Sequence, residues 1–335
     1  MDSHSLLLTV LIILVALSFD FINGFHDSAN SIATVVSTRV LPPQWAVVWA
    51  SFFNFTAVFI AGVPVAETIG TGIIQPSVMN NYLILAALGG AIAWNLITWW
   101  LGLPSSSSHA LIGGLMGVGL VQGGTGVLQW GGILKIALFI VLSPALGFVL
   151  ALGIMILALN LSAKSNVFKT DQLYRRLQLF SAAVYSVSHG MNDAQKTMGI
   201  IAMVLYTGGY LGSSFHVPFW VVFLCYLFIA FGTMAGGWRI VKTMGSKITK
   251  LQPIGGFAAE TAAAVSIIGA SMAGIPVSTT HTITGAIVGV GAIRRLTAVR
   301  WGVAGSIVWA WLLTIPLSAA MSALFLLCLK ATHLC

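Results

Sequence analysis

Apolar runs at residues 6–19, 45–65, 82–101, 133–159, 219–234, 255–273 and 303–329 recur along the chain. Each is near or above the roughly 20 residues that cross a bilayer as a helix. A membrane barrel would need in/out alternation over segments of about 10 residues, which these runs lack. Charge supports the same conclusion. Only 7% of the 335 residues are charged and 58% are hydrophobic, where a soluble domain carries about 25% charged residues. Such a chain cannot cover a water-facing surface, so it must sit in lipid. The expected fold is an all-α integral membrane protein with about 10 to 12 spanning or half-spanning helices. The first run lacks a basic start and leads into a polar phrase, so it reads as a helix rather than a signal peptide.

The net charge of +8 is concentrated. Lys164, Lys169, Arg175 and Arg176 form one basic cluster, Arg239, Lys242, Lys247 and Lys250 a second, and Arg294, Arg295 and Arg300 a third. The positive-inside rule places such loops in the cytoplasm; the first two clusters fit this together, while the third fits only if the segment between Lys250 and Arg294 does not fully cross, and nucleic acid is not an expected partner. Cys225, Cys328 and Cys335 form no metal-ligand or disulfide pattern.

Three polar phrases occur twice, in the same order. Gly-x-x-Asp appears as NGFHDSAN (23–30) and HGMNDAQK (189–196). Ala-Glu-Thr appears at 66–68 and 259–261. Pro-x-Ser-[Ser/Thr]-[Ser/Thr]-His, trailed by glycines, begins at Pro104 and again at Pro276. Order preserved across three phrases argues for an internal repeat. It divides the chain into a first transmembrane repeat (1–159), a polar cytoplasmic linker (160–177) and a second repeat (178–335). Membrane proteins built from two repeats are commonly transporters, with the site at the repeat interface among broken helices. An odd number of crossings per half would make the repeats inverted, which is the expected arrangement.

Acidic residues are scarce enough to take one at a time. Asp2 and Asp171 fall in the tail and linker, where water solvates them. Asp27, Asp193, Glu67 and Glu260 fall in or beside apolar runs, where a carboxylate normally faces a site or partner. Asp20 has no counterpart in the second half. The phrases at Pro104 and Pro276 read as helix starts inside the membrane, with Pro at the first turn and Ser or Thr as caps. Such starts expose N–H groups and the positive end of the dipole, and so suit a phosphate. Gly113, Gly117, Gly285 and Gly289 would let a neighbouring helix approach. His109 and His281 are open to anion binding, proton shuttling or a bond to a backbone carbonyl. The Gly-x-x-Asp phrases are expected to break their helices too, with Asn23, Asp27, Asn30, Asn192, Asp193 and Gln195 offering oxygen ligands to a hard cation. Carboxylates beside an anion repel it unless protons or metal ions enter with it, which is the requirement of symport.

The stretches NGFHDSANSIATVV and SHGMNDAQKTMGI, with the paired SSSSH and STTH motifs, resemble the inorganic phosphate transporter (PiT) family through both halves. The short linker is similar to that of compact bacterial members. The resemblance implies an inverted-repeat transporter moving inorganic phosphate with a cation through a bacterial cytoplasmic membrane. Phosphate ligands are then expected among Ser106, Ser107, Ser108, Ser278, Thr279, Thr280, Asn30 and Asn192. Cation or proton coupling is assigned to Asp27, Asp193, Glu67, Glu260, Lys196 and His26, with Asp27 and Asp193 as ligands of a transported metal ion. Sodium-coupled members read Gly-x-Asn-Asp-x-x-Asn twice; here His26 and Lys196 replace an Asn in each half. A fixed ammonium at Lys196, three residues past Asp193 on one helix face, would stand in for one sodium ion. Bacterial proton-linked members, which carry phosphate as a neutral metal–phosphate complex, look like this at both positions, so the resemblance implies proton coupling, with a complex of Mg²⁺ or another divalent ion as a substrate form; sodium coupling is the alternative, and a purely structural pairing of Lys196 with Asp193 stays open. No resident cofactor is expected. Partners are inorganic phosphate and the bilayer, with a homodimer left open. A channel would need no ion coupling. A hydrolase built on Ser108 and His109 fails because sequence neighbours on a helix do not face each other.

Overall fold

The computed structural model describes residues 3–212 and 214–332; Asp2, Cys335 and the side chain of Arg294 lie outside the described residues. Twelve α-helices and no β-strand occur among the described residues. The first six are α1 (Ser3–Ser37), α2 (Pro43–Thr56), α3 (Pro64–Thr71), α4 (Asn81–Leu101), α5 (Ser107–Gly123) and α6 (Trp130–Ser162). The second six are α7 (Val167–Thr207), α8 (Phe219–Ala235), α9 (Trp238–Lys242), α10 (Pro253–Met272), α11 (Thr279–Arg294) and α12 (Trp301–Ala331). Six helices are long and apolar enough to cross a membrane, or eight if each bent pair is one span. The bends fall at matching places, 85° between α2 and α3 and 59° between α8 and the segment that α9 begins.

Packing matches in the same way. Cβ atoms at Gly113 and Gly117 of α5 would strike carbonyls of Ile315 and Ala319 on α12. Cβ atoms at Gly285 and Gly289 of α11 would strike those of Pro144 and Phe148 on α6. The glycine ladders are thus close-packing surfaces, and each repeat's last helix holds the other repeat's short helix. Gly24 of α1 lies on the Ile229 carbonyl of α8, as Gly190 of α7 lies on that of Asn54 in α2. Thr197 of α7 donates to Asp20 of α1 at 2.9 Å, and Thr38, just past the end of α1, donates to Gln178 of α7 at 2.9 Å. Low numbers on one helix meet high numbers on the other, so α1 and α7 run antiparallel, as equivalent helices of inverted repeats do.

Several expectations are corrected. The Gly-x-x-Asp phrases do not break their helices: α1 runs 35 residues and α7 runs 41 residues without interruption. Their glycines serve close approach to α8 and α2 rather than chain reversal. The breaks lie before α5 and α11, where extended Ser106 and Ser278 cap the new helices. Pro104 and Pro276 precede those caps instead of occupying the first turn. The two Ala-Glu-Thr phrases are not equivalent either, since one lies in α3 and the other in α10. The polar stretch 160–177 is mostly helical, ending α6 and beginning α7. Its basic residues share one face with the other two basic clusters. Arg175 lines one cavity with Leu251 and Gln252, and Lys250 lines another with Arg295 and Arg300.

Candidate functional site

The N-termini of α5 and α11 meet where α1 crosses α7. Ser106 Oγ accepts from His109 N at 3.2 Å and Ser278 Oγ accepts from His281 N at 3.2 Å. Each cap satisfies one first-turn N–H. The N–H groups of Ser107, Ser108, Thr279 and Thr280 keep no intrahelical partner, and both dipoles aim at the same region. Ser108 Oγ donates to Val277 O across the junction at 3.5 Å. All six hydroxyl residues singled out from sequence are buried here.

Each helix of the antiparallel pair reaches the opposite repeat. Asn30 of α1 donates to Thr280 Oγ1 at 2.9 Å and Thr279 Oγ1 at 3.4 Å. Lys196 of α7 donates to Ser108 Oγ, to Asp193 Oδ1 at 2.5 Å and to Val277 O at 3.2 Å. Thr279 Oγ1 donates to the other oxygen of Asp193 at 3.2 Å. A buried ammonium and carboxylate held at three residues' spacing compensate each other; removing either strands the other at a cost of about 3–5 kcal/mol.

Asp27 is held differently. Its Oδ1 lies 2.6 Å from His26 Nδ1, and the far side of that ring meets Thr98 Oγ1 at 3.0 Å and Ser105 Oγ at 3.4 Å. Asp27, His189 and Asp193 each present one ligand atom within 4.8 Å of the others. His189 Nδ1 lies 3.1 Å from Asn54 Oδ1, and Asn54 Nδ2 donates to Thr233 Oγ1 at 2.8 Å. On its other side, His189 Nε2 lies 3.2 Å from Asp193 Oδ2. The Asn54 bond is the kind of outer contact that orients an imidazole ligand.

Other expected residues lie apart from this cluster. Glu67 is exposed on α3 with no side-chain partner, whereas Glu260 is buried and accepts from Ser181 Oγ at 2.5 Å and Gln178 Nε2 at 3.1 Å. Asn192 donates to Ser271 Oγ at 2.8 Å, leaving its own oxygen without a partner. Gln195 turns to the start of α3, accepting from Val65 N at 2.8 Å. His109 and His281 pack edge to face at 4.8 Å, and His281 stacks on Trp311. His189, Asn54, Thr98 and Ser105 join the site without standing out as site residues in the sequence. His189 had a signal in its position four residues before Asp193, and Asn54 in being a lone amide within an aromatic apolar run.

The chain matches the Phosphate transporter family over residues 23–170 and 160–322. It is 60% identical to a probable low-affinity inorganic phosphate transporter of Rhizobium meliloti, covering 95% of each chain. It is 46% identical to one of Bacillus subtilis, covering 95% of this chain and 96% of the relative. Among solved structures, the sodium-dependent phosphate transporter superposes with a TM-score of 0.86 at 28% identity, covering 97% of this chain and 99% of that one. Matches over almost the whole length, on a buried anion-suited site between two repeats, establish that the chain is a multi-pass membrane protein belonging to the phosphate transporter family.

Proposed function

We propose that this chain imports inorganic phosphate across the cytoplasmic membrane by symport with protons, the anion travelling as a neutral complex with a divalent cation such as Mg²⁺. The observation that carries the reading is Lys196 Nζ, 2.5 Å from Asp193 Oδ1. The ammonium sits three residues past its aspartate, where Asn30 sits past Asp27 in the other repeat. It neutralises a carboxylate that would otherwise call for a transported cation. Lys196 holds only Oδ1 of Asp193, so Asp27, His189 and Asp193 Oδ2 remain for a metal ion moving as cargo, and carboxylate and imidazole ligands together suit a divalent ion. The paired helix N-termini, with Ser107, Ser108, Thr279 and Thr280, supply donors for the anion. The single basic face is assigned to the cytoplasm by the positive-inside rule.

Sodium symport is the second reading, favoured by the likeness to the sodium-dependent phosphate transporter. Radiolabelled phosphate uptake into proteoliposomes separates the two. Under an imposed proton gradient, uptake should rise and Mg²⁺ should raise it further, while a sodium gradient alone should leave it at background. Uptake driven by sodium alone would keep the transporter and overturn the coupling.

A further inference from the structure

We propose that Asp20 is a second, off-centre carboxyl of the transport machinery and carries the coupled proton; the idea rests on the proton-symport reading above. Asp20 lies on α1 about two helical turns before Asp27 and is fully buried. Its Oδ1 accepts from Thr197 Oγ1 at 2.9 Å, and its Oδ2 has no partner. Asn23 lies one turn on along the same face of α1, and its Oδ1 is buried without a partner as well. On α8, Tyr226 lies within electrostatic reach of Asp20, and its hydroxyl is also unpartnered. Three buried polar atoms without partners around one carboxyl are unusual, because buried polar groups are almost always bonded.

Charge points the same way. The charged and titratable groups near Asp20 are Asp193 and Lys196 on α7 and Cys225 and Tyr226 on α8. Helix α2 contributes none, and α4 contributes only Tyr82, in its first turn. Lys196 is engaged with Asp193, Ser108 and Val277, and no described cation lies within ion-pair distance of Asp20. Asp20 Oδ2 is buried without a donor. A proton on it removes a charge that no cation or donor at that oxygen offsets. The step forms one O–H bond with a proton taken from water on one side of the membrane and breaks it to water on the other. Thr197, which holds Asp20, directly follows Lys196, so the carboxyl is tied to the coupling centre through α7. The fold itself does not ask for an acid here. Ser186 holds the corresponding place in the second repeat, seven residues before Asp193, and merely bonds back to Ala182 O at 2.8 Å.

Asp20→Asn mimics the protonated carboxyl and cannot release a proton. In proteoliposomes it should keep phosphate–phosphate counterflow near the wild-type rate. Proton-driven net accumulation should fall by about tenfold or more, within the range of coupling between linked sites. Wild-type accumulation in Asp20→Asn, or equal loss of counterflow and accumulation in a folded variant, would overturn the assignment. A wild type that no proton gradient drives would sink the coupling reading itself, a result distinct from a driven wild type with an unaffected variant. If Asp20→Asn does not fold, Asp20→Glu decides. A displaced pH profile of accumulation with unchanged counterflow supports the proposal, and an unchanged profile contradicts it.

Discussion

Asn30 and Lys196 hold equivalent places in the two repeats and make equivalent contacts. Each lies three residues past its aspartate. Each reaches into the opposite repeat to the hydroxyl preceding the helix-start histidine, Thr280 for Asn30 and Ser108 for Lys196. One contact is made by a neutral amide and the other by an ammonium. The backbone around them is symmetric down to the glycine that seats each helix, Gly24 or Gly190, and the serine that caps each partner, Ser278 or Ser106. The lesson is that packing enforces the two-fold while charge is free to depart from it. Asp193 has Lys196, His189 and Thr279 about it, whereas among the described residues Asp27 has only His26 at bonding distance. We attribute coupling to that departure.

The largest effects should come from removing the aspartates. Asp27→Asn should abolish gradient-driven uptake with the fold intact. Asp193→Asn should abolish uptake and also lower stability by about 3–5 kcal/mol, because it strands the Lys196 ammonium. Uptake assays with thermal unfolding would show the difference, and equal stability losses would erase the contrast between the halves. Asn54→Ala is next. It frees His189 to turn, so the Mg²⁺ concentration needed for half-maximal uptake should rise by about 10-fold or more. No change would remove His189 from the cation set. Glutamates give the smallest effect and the second contrast. Glu260→Gln should cost about 1–3 kcal/mol, since two donors, Ser181 and Gln178, lose their carboxylate. Glu67→Gln should stay within about 0.5 kcal/mol of wild type, as exposed positions do. A larger loss at Glu67 than at Glu260 would reverse the ranking that burial gives.

Much of this was legible in the sequence because each signal was local. Apolar runs named most spans, the Pro-Ser phrases named the two capped helix starts, and the glycine spacing named the close-packing faces of α5 and α11. Signals that depend on partners were misread. Gly24 and Gly190 looked like helix breakers, but their role is set by α8 and α2, far away in sequence. Ala-Glu-Thr at 66–68 and 259–261 matched in letters, yet the phrases fall on helices that pack differently. Helix α7 is not apolar enough to count as a span, because the residues lining the site, from His189 to Lys196, take up part of its length. His189 showed its importance only once Asn54, from the other repeat, was seen to fix its ring.

Whether the Lys196 ammonium occupies the place of a transported cation is decided by Lys196→Asn, which restores the Asn30 pattern to the second repeat. Its phosphate uptake should become dependent on a sodium gradient, and sodium should raise its thermal stability while leaving the wild type unaffected. Proton-driven uptake indifferent to sodium in Lys196→Asn would contradict the account and leave Lys196 as a structural partner of Asp193.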